Sequence, residues 1–209
     1  MSNDVLREKE QLRNKIWSQM EHEGIAVFPL PCKGRIPNFV GASLAAENLR
    51  QLEEWKRARV IFAGPDSPQK KVRENALIDG KILLMASPRL KRGFIILNPT
   101  RTKGMERFAS TIKGAFQLGS EVNFEQIPKP DLIVEGSVAV DLQGRRLGKG
   151  GGYGDLEIGL LKRMFGDIPV ATTVHDVQIV EKVPFDERRD EKVSIIVTPK
   201  KVIRVTSQT

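Results

Sequence analysis

Residues 144–155 read Gly144-Arg145-Arg146-Leu147-Gly148-Lys149-Gly150-Gly151-Gly152-Tyr153-Gly154-Asp155. After Gly144, five of these twelve positions are glycine, and three are basic. Glycine at that density lets backbone N–H groups converge on an anion with no Cβ in the way. Basic side chains beside them add charge where a phosphate would sit. An apolar run, Val138-Ala139-Val140-Asp141, precedes the loop, and Leu156, Ile158, Leu160, Leu161 and Met164 follow at helical spacing. Strand, glycine loop and helix in that order place the loop at a helix N-terminus, a ready anion site.

The two common phosphate loops do not apply. Only three residues separate Gly144 from Gly148-Lys149, where the P-loop pattern needs four, and Gly150 stands where it needs Ser or Thr. The dinucleotide pattern fails because Tyr153 follows Gly150 at the place of its last glycine. A plain surface turn is the simplest alternative. This loop is longer and more basic than such a turn, and it ends in Asp155, which could hold a metal ion beside a triphosphate or cap the helix.

The rest of the chain alternates helical and strand-like segments. Helices are expected over residues 4–22, 43–55, 72–79 and 153–165, with part of 102–118 helical. Strands are expected over 25–30, 59–63, 81–85, 93–97, 131–134, 138–141, 169–174, 194–198 and 202–205. This alternation gives an α/β class with a mostly parallel sheet flanked by helices. With no repeat and no Pro/Ser linker, residues 1–209 are expected to form a single domain. In the first helix Leu12, Ile16 and Met20 make one apolar stripe. Lys9 and Arg13 share the edge beside it, either as solvated charges or as phosphate ligands.

A net charge of +8 points to an anionic partner. A nucleotide would satisfy it, and so would nucleic acid. Aromatic residues at 6% argue against a binder built on base-stacking platforms. No apolar run reaches the roughly 20 residues of a membrane span, and no partner membrane is expected. A charged N-terminal helix and a lone cysteine, Cys32, fit a cytoplasmic protein. His22 and His175 have no metal-site spacing, although His175, beside Asp176, could face a site.

The run from Arg146 to Asp155 resembles the signature of the 5-formyltetrahydrofolate cyclo-ligase family, Arg-Leu-Gly-any-Gly-any-Gly-Tyr-Tyr-Asp. Two further segments fit the resemblance. One is Lys9-Glu10-Gln11-Leu12-Arg13 on the first helix; the other runs from Val183-Pro184 through Arg189-Asp190 to the strand ending at Thr198. The resemblance implies a three-layer fold related to the ribose-phosphate isomerase and CoA-transferase folds. It also implies ATP-dependent ring closure of 5-formyltetrahydrofolate, or a related compound, to 5,10-methenyltetrahydrofolate, by a monomer or homodimer using ATP and Mg²⁺. Carried onto this sequence, it gives Lys9, Arg13, Arg146, Gly148, Lys149, Gly150, Gly151, Gly152 and Tyr153 as nucleotide ligands. Arg146 and Lys149 would act in catalysis, and Asp155 would hold the metal. Arg189 and Asp190 would form a structural ion pair.

The chain departs from the signature at Gly154, where the family has a second tyrosine, and at Leu156, where it has a basic residue. The family's folate-contacting Glu and Thr are missing from the stretch Pro68 to Asn75. The segments around Lys33-Gly34-Arg35, Asp66 to Arg73 and Ser87-Pro88-Arg89 resemble instead a divergent branch, the methenyltetrahydrofolate-synthetase-domain-containing proteins. Arg35, Arg73 and Arg89 would then hold a second anionic ligand, or else make structural pairs with Asp66, Glu74 and Asp79. The contrasting function is a non-catalytic nucleotide- or RNA-binding module that keeps the fold.

Overall fold

A computed structural model describes residues 3–87, 90 and 93–205. The chain opens with α1 (Asn3–His22), a hairpin of β1 (Ala26–Val27) and β2 (Asn38–Phe39), then α2 (Ala42–Arg50) and α3 (Glu53–Arg57). Next come β3 (Val60–Ala63), α4 (Lys70–Ile78), β4 (Ile82–Ala86) and β5 (Phe94–Leu97). Three short helices, α5 (Pro99–Thr102), α6 (Glu106–Ala109) and α7 (Ile112–Leu118), lead to β6 (Ser120–Val122). The second half holds β7 (Leu132–Val134), β8 (Ala139–Asp141), β9 (Arg146–Leu147) and α8 (Tyr153–Phe165). It closes with β10 (Val170–Thr173), β11 (Ile179–Val180), β12 (Ile195–Val197) and β13 (Val202–Arg204).

Eight strands form the main sheet in the order β13-β12-β10-β7-β3-β4-β5-β6. The five central strands are parallel; β13, β5 and β6 pair antiparallel at its edges. The expected class, α/β with a mostly parallel sheet between helices, is the one observed. Because successive strand side chains face opposite ways, the sheet feeds two cores. Ile61, Ala63, Leu83, Met85, Leu132 and Val134 face α2, α4 and Trp55. Phe62, Leu84, Ile133 and Ile196 face α8. Burial on both faces is why these strands read as unbroken apolar runs.

Some expectations change on folding. The apolar run at 138–141 is a strand, but it leaves the main sheet for a small one, β11-β8-β9. The helix expected over 43–55 is two, broken at Leu52, whose extended backbone brings Trp55 into the core, its indole N–H donating to Asp79 Oδ2 at 2.8 Å. The strand expected over 25–30 stops at Val27 because Pro29 and Pro31 cannot donate to a ladder. Helix α1 packs on the small sheet: Ile16, Trp17 and Met20 form a third core with Val138, Ala139 and Leu147. This packing sets the polar edge of α1 against the chain that follows β9.

Arg73 corrects a sequence expectation. Instead of reaching a ligand, it is buried in α4 and its guanidinium is consumed by backbone carbonyls. Nε donates to Ser110 O at 2.8 Å, and Nη1 donates to Gly64 O at 2.5 Å and Asp66 O at 3.0 Å. Burial pulls its pKa down to about 10, against the pull of Asp66 and Glu135, so it stays cationic at neutral pH. Neither Asp66 nor Glu74 forms a side-chain ion pair with it. It clamps the turn after β3 to the loop before α7. Arg73→Met keeps an unbranched apolar stem but removes all three bonds, so it should lower unfolding free energy by about 3 kcal/mol. Urea denaturation measures this; a loss under about 0.5 kcal/mol would show that the clamp contributes nothing.

Candidate active site

The antiparallel pair β8–β9 delivers Arg146 and the glycine loop to the C-terminal side of the main sheet's central strands. The loop ends at Gly152, which caps α8 in the left-handed conformation (φ 72°) without a side-chain cap. Gly150 is also left-handed, at φ 107°. The ring of Tyr153 folds over Gly151: a Cβ there would lie 2.9 Å from Tyr153 Cδ2. Among the described residues, the backbone N–H groups of residues 149–154 find no backbone carbonyl partner. The first helical bond of α8 runs from Leu156 N–H to Gly152 O at 3.1 Å. These are the orphan donors that a helix start presents to an anion.

Arg146 lies beneath the loop and is 2% exposed. Its Nη1 donates to Gly136 O at 2.8 Å, its Nη2 forms an ion pair with Asp155 Oδ1 at 2.8 Å, and its Nε makes no hydrogen bond. Burial works against its charge, but Asp155 and Glu135 outweigh burial and raise its pKa. Asp155 Oδ1 also accepts from Glu191 N–H at 3.1 Å. Asp155 therefore sits in the first turn of α8, and the capping position expected as its alternative belongs to Gly152.

Above Arg146 opens a cleft of about 440 Å³. Glu135 and Glu157 line its polar floor, and Ile36, Pro65, Ile112 and Tyr153 line its sides. Lys149 reaches across it to Asp66, Nζ to Oδ1 at 2.6 Å. Glu135 is 3% exposed. Its Oε1 accepts a long bond from Gly136 N–H at 3.3 Å, and its Oε2 has no partner. Burial pushes Glu135 up to about 7 against the pull of Arg146, with Asp66 and Asp155 adding to the rise. Glu157, also buried, is raised well above the carboxylate range by burial first and Glu135 next. On the loop's other side lies a second hollow of about 580 Å³, with Arg163, Arg188 and Arg189 on its wall. Gly151, Gly152 and Asp155 line both hollows.

The structure brings Arg146, Gly148, Lys149, Gly151, Gly152, Tyr153 and Asp155 to the first cleft, and Gly150 to the second hollow. Lys9 and Arg13 are placed behind the loop. Arg13 Nε donates to Gly148 O at 2.8 Å, and its guanidinium lies under Gly150. Lys9 is buried in an ion pair with Asp190, so the partner of Asp190 is Lys9 and not Arg189. Arg35 is exposed outside the cleft wall formed by its neighbours Gly34 and Ile36. Arg89 lies outside the described residues. His175 caps a 3-10 turn, its Nδ1 accepting from Val177 N–H at 3.3 Å, and does not line the cleft. The sequence reading missed Asp66, Glu135 and Glu157. The available signal for Glu135 was its place directly after a buried apolar strand, where open α/β sheets bind ligands; for Glu157 it was one helical turn from Tyr153.

The sequence profile of the 5-formyltetrahydrofolate cyclo-ligase family matches residues 5–199. A methenyltetrahydrofolate synthase domain-containing protein of Bos taurus is 41% identical over 203 residues, covering 93% of this chain and 53% of that protein. Its Homo sapiens counterpart is 38% identical over 203 residues, with the same coverage of both chains. The chain thus spans about half the length of these relatives. Among solved structures, the Aquifex aeolicus 5,10-methenyltetrahydrofolate synthetase superposes with a TM-score of 0.61 at 22% identity, over 96% of this chain and 94% of its own. The Mycoplasma pneumoniae 5,10-methenyltetrahydrofolate synthetase gives 0.52 at 13% identity, over 94% and 98%. Those two likenesses establish the fold. Matched along nearly all of its length by the family profile, the chain belongs to the 5-formyltetrahydrofolate cyclo-ligase family.

Proposed function

We propose that this chain is an ATP-dependent cyclo-ligase that converts 5-formyltetrahydrofolate, or a related N-formyl compound, to its methenyl form. The observation that carries the reading is the glycine loop. Its unpaired N–H groups lie between two hollows that share Gly151, Gly152 and Asp155. A transfer between two bound molecules needs two compartments meeting at the transferred group, and this loop is where a triphosphate would meet an acceptor.

ATP supplies the phosphoryl group that turns the formyl oxygen into a leaving group. Phosphoryl transfer asks a protein chiefly for positioning and charge stabilisation. The loop N–H groups and the start of α8 would hold phosphate oxygens. Arg146, already fixed by Gly136 O and Asp155, would place its positive charge beneath the phosphates. Lys149 would exchange Asp66 for phosphate and so close the cleft over the nucleotide. Lys9 and Arg13 would act from behind, fixing the loop through Asp190 and Gly148.

Among the described residues no three Asp, Glu, His or Cys side chains gather closely enough to hold a metal alone. Mg²⁺ keeps water and takes phosphate oxygens, and Asp155, in the first turn of α8, would be its carboxylate from the loop. The walls Ile36, Pro65, Ile112 and Tyr153 suit a flat heterocycle. Among the described residues no helix is long and apolar enough to cross a membrane.

Mixing the protein with 5-formyltetrahydrofolate and Mg-ATP should raise near-ultraviolet absorbance as the methenyl product forms, and omission of either reactant should abolish the rise. No turnover under saturating reactants would remove the folate reading. Lys149→Ala should weaken Mg-ATP binding by about tenfold, about 1.4 kcal/mol, in a calorimetric titration. A dissociation constant within twofold of the parent would remove Lys149 from the nucleotide site.

A further inference from the structure

The carboxyl of Glu135 is not explained by the fold. It stands just beyond β7, the central strand, and its main chain is satisfied by Ala171 O at 2.9 Å. The side chain is buried, yet Oε2 has no partner and the residue lines the cleft. Leaving such an oxygen unpaired is costly, and apolar packing would serve the core better. Nor does it serve Arg146 by a hydrogen bond: that guanidinium binds Gly136 O and pairs with Asp155.

Two glycines make its room. A Cβ on Gly64, at the end of β3, would come 2.7 Å from Glu135 Oε1. A Cβ on Gly154 would come 3.2 Å from Glu135 Cγ and 2.9 Å from Arg146 Nη2. Gly154 is the position where the chain departs from the signature's second tyrosine. The departure and the buried acid are therefore one feature: a side chain at 154 would strike both members of the Glu135–Arg146 neighbourhood.

Resting on the cyclo-ligase reading, we propose that Glu135 is a catalytic base in this chain, taking the proton from the nitrogen that closes the ring. In the step, the N–H nitrogen attacks the phosphoryl-activated formyl carbon and a C–N bond forms. Its proton passes to Glu135 Oε2. The bond from carbon to the phosphate-bearing oxygen breaks, and its electron pair leaves with inorganic phosphate. The geometry suits this role because Arg146, the cation under the loop, flanks Glu135, so the activated carbon would lie beside the carboxyl. Buried and raised to about 7, it is poised for proton transfer near neutrality. The charged groups facing it are Asp66 after β3, Arg73 from α4, Arg146 from β9, and Asp155 and Glu157 from α8.

Glu135→Gln keeps the shape and removes the base. The expected result is a fall in kcat of about a hundredfold or more, with KM and Mg-ATP affinity within about threefold. Because bound phosphates raise the carboxyl further, the wild-type kcat should rise with pH through an inflection above 7, and the variant's should not. A second readout needs no turnover. Phosphates placed beside Glu135 favour its protonated form, so Mg-ATP binding at pH 7.5 should take up a proton, seen by calorimetry in two buffers of different ionisation enthalpy. Glu135→Gln should lose that uptake. If the wild type turns over and the variant matches its kcat and pH profile, this inference falls and the cyclo-ligase reading stands. Mg-ATP binding without proton uptake also overturns it. Uptake that depends on Glu135 in a protein forming no methenyl product would overturn the catalytic role together with the folate reading.

Discussion

The site depends on one buried cation. Arg146 holds Gly136 O on the chain leaving β7 and Asp155 in the first turn of α8, so a single guanidinium ties a central strand's exit, the β8–β9 pair and a helix start. A guanidinium buried this deeply is costly unless its partners are well placed, and removing one would strand the other. The glycine loop has no hydrogen-bonded ladder of its own between β9 and α8. Its shape is set by this anchor at one end and by Arg13 on Gly148 O at the other.

Three cores bring those anchors together. The main sheet's two faces fix β3 and β7, whose C-terminal ends carry Gly64, Asp66 and Glu135. The third core fixes α1 on β8 and β9, and so sets Arg13 and Lys9 behind the loop. The site is thus assembled from the exits of parallel strands and one helix N-terminus, the general location of ligands in open α/β sheets. Arg73 contributes by holding the turn at Gly64 and Asp66, although it touches no cleft surface.

The electrostatics of the cleft run against those of the whole chain. The protein carries +8 overall, yet Asp66, Glu135, Asp155 and Glu157 line a cleft whose cations are Arg146 and Lys149. Four carboxylates against two cations would repel a triphosphate if all were ionised. Burial answers part of this by favouring the neutral forms of Glu135 and Glu157. Net charge therefore describes the long-range field that an anion would meet on approach, and burial decides the field inside the cleft.

The sequence by itself determined the class of fold and the loop. Buried parallel strands must be apolar on both faces, and α8 was legible to the residue because apolar spacing and flanking glycines mark both of its ends. The loop was legible because only glycine permits those backbone angles and approaches. What tertiary structure decided was which charges meet. Arg73, within a helix, and Arg146, beside the glycine loop, both read as anion ligands in the sequence, yet one is consumed by carbonyls and the other lines a cleft. Glu135 could be placed at a strand end but not paired, because its neighbours come from β3, β9 and α8, far apart in the chain. Local periodicity reports what a residue's own element requires; burial, partner and proton affinity depend on contacts that exist only after the elements pack.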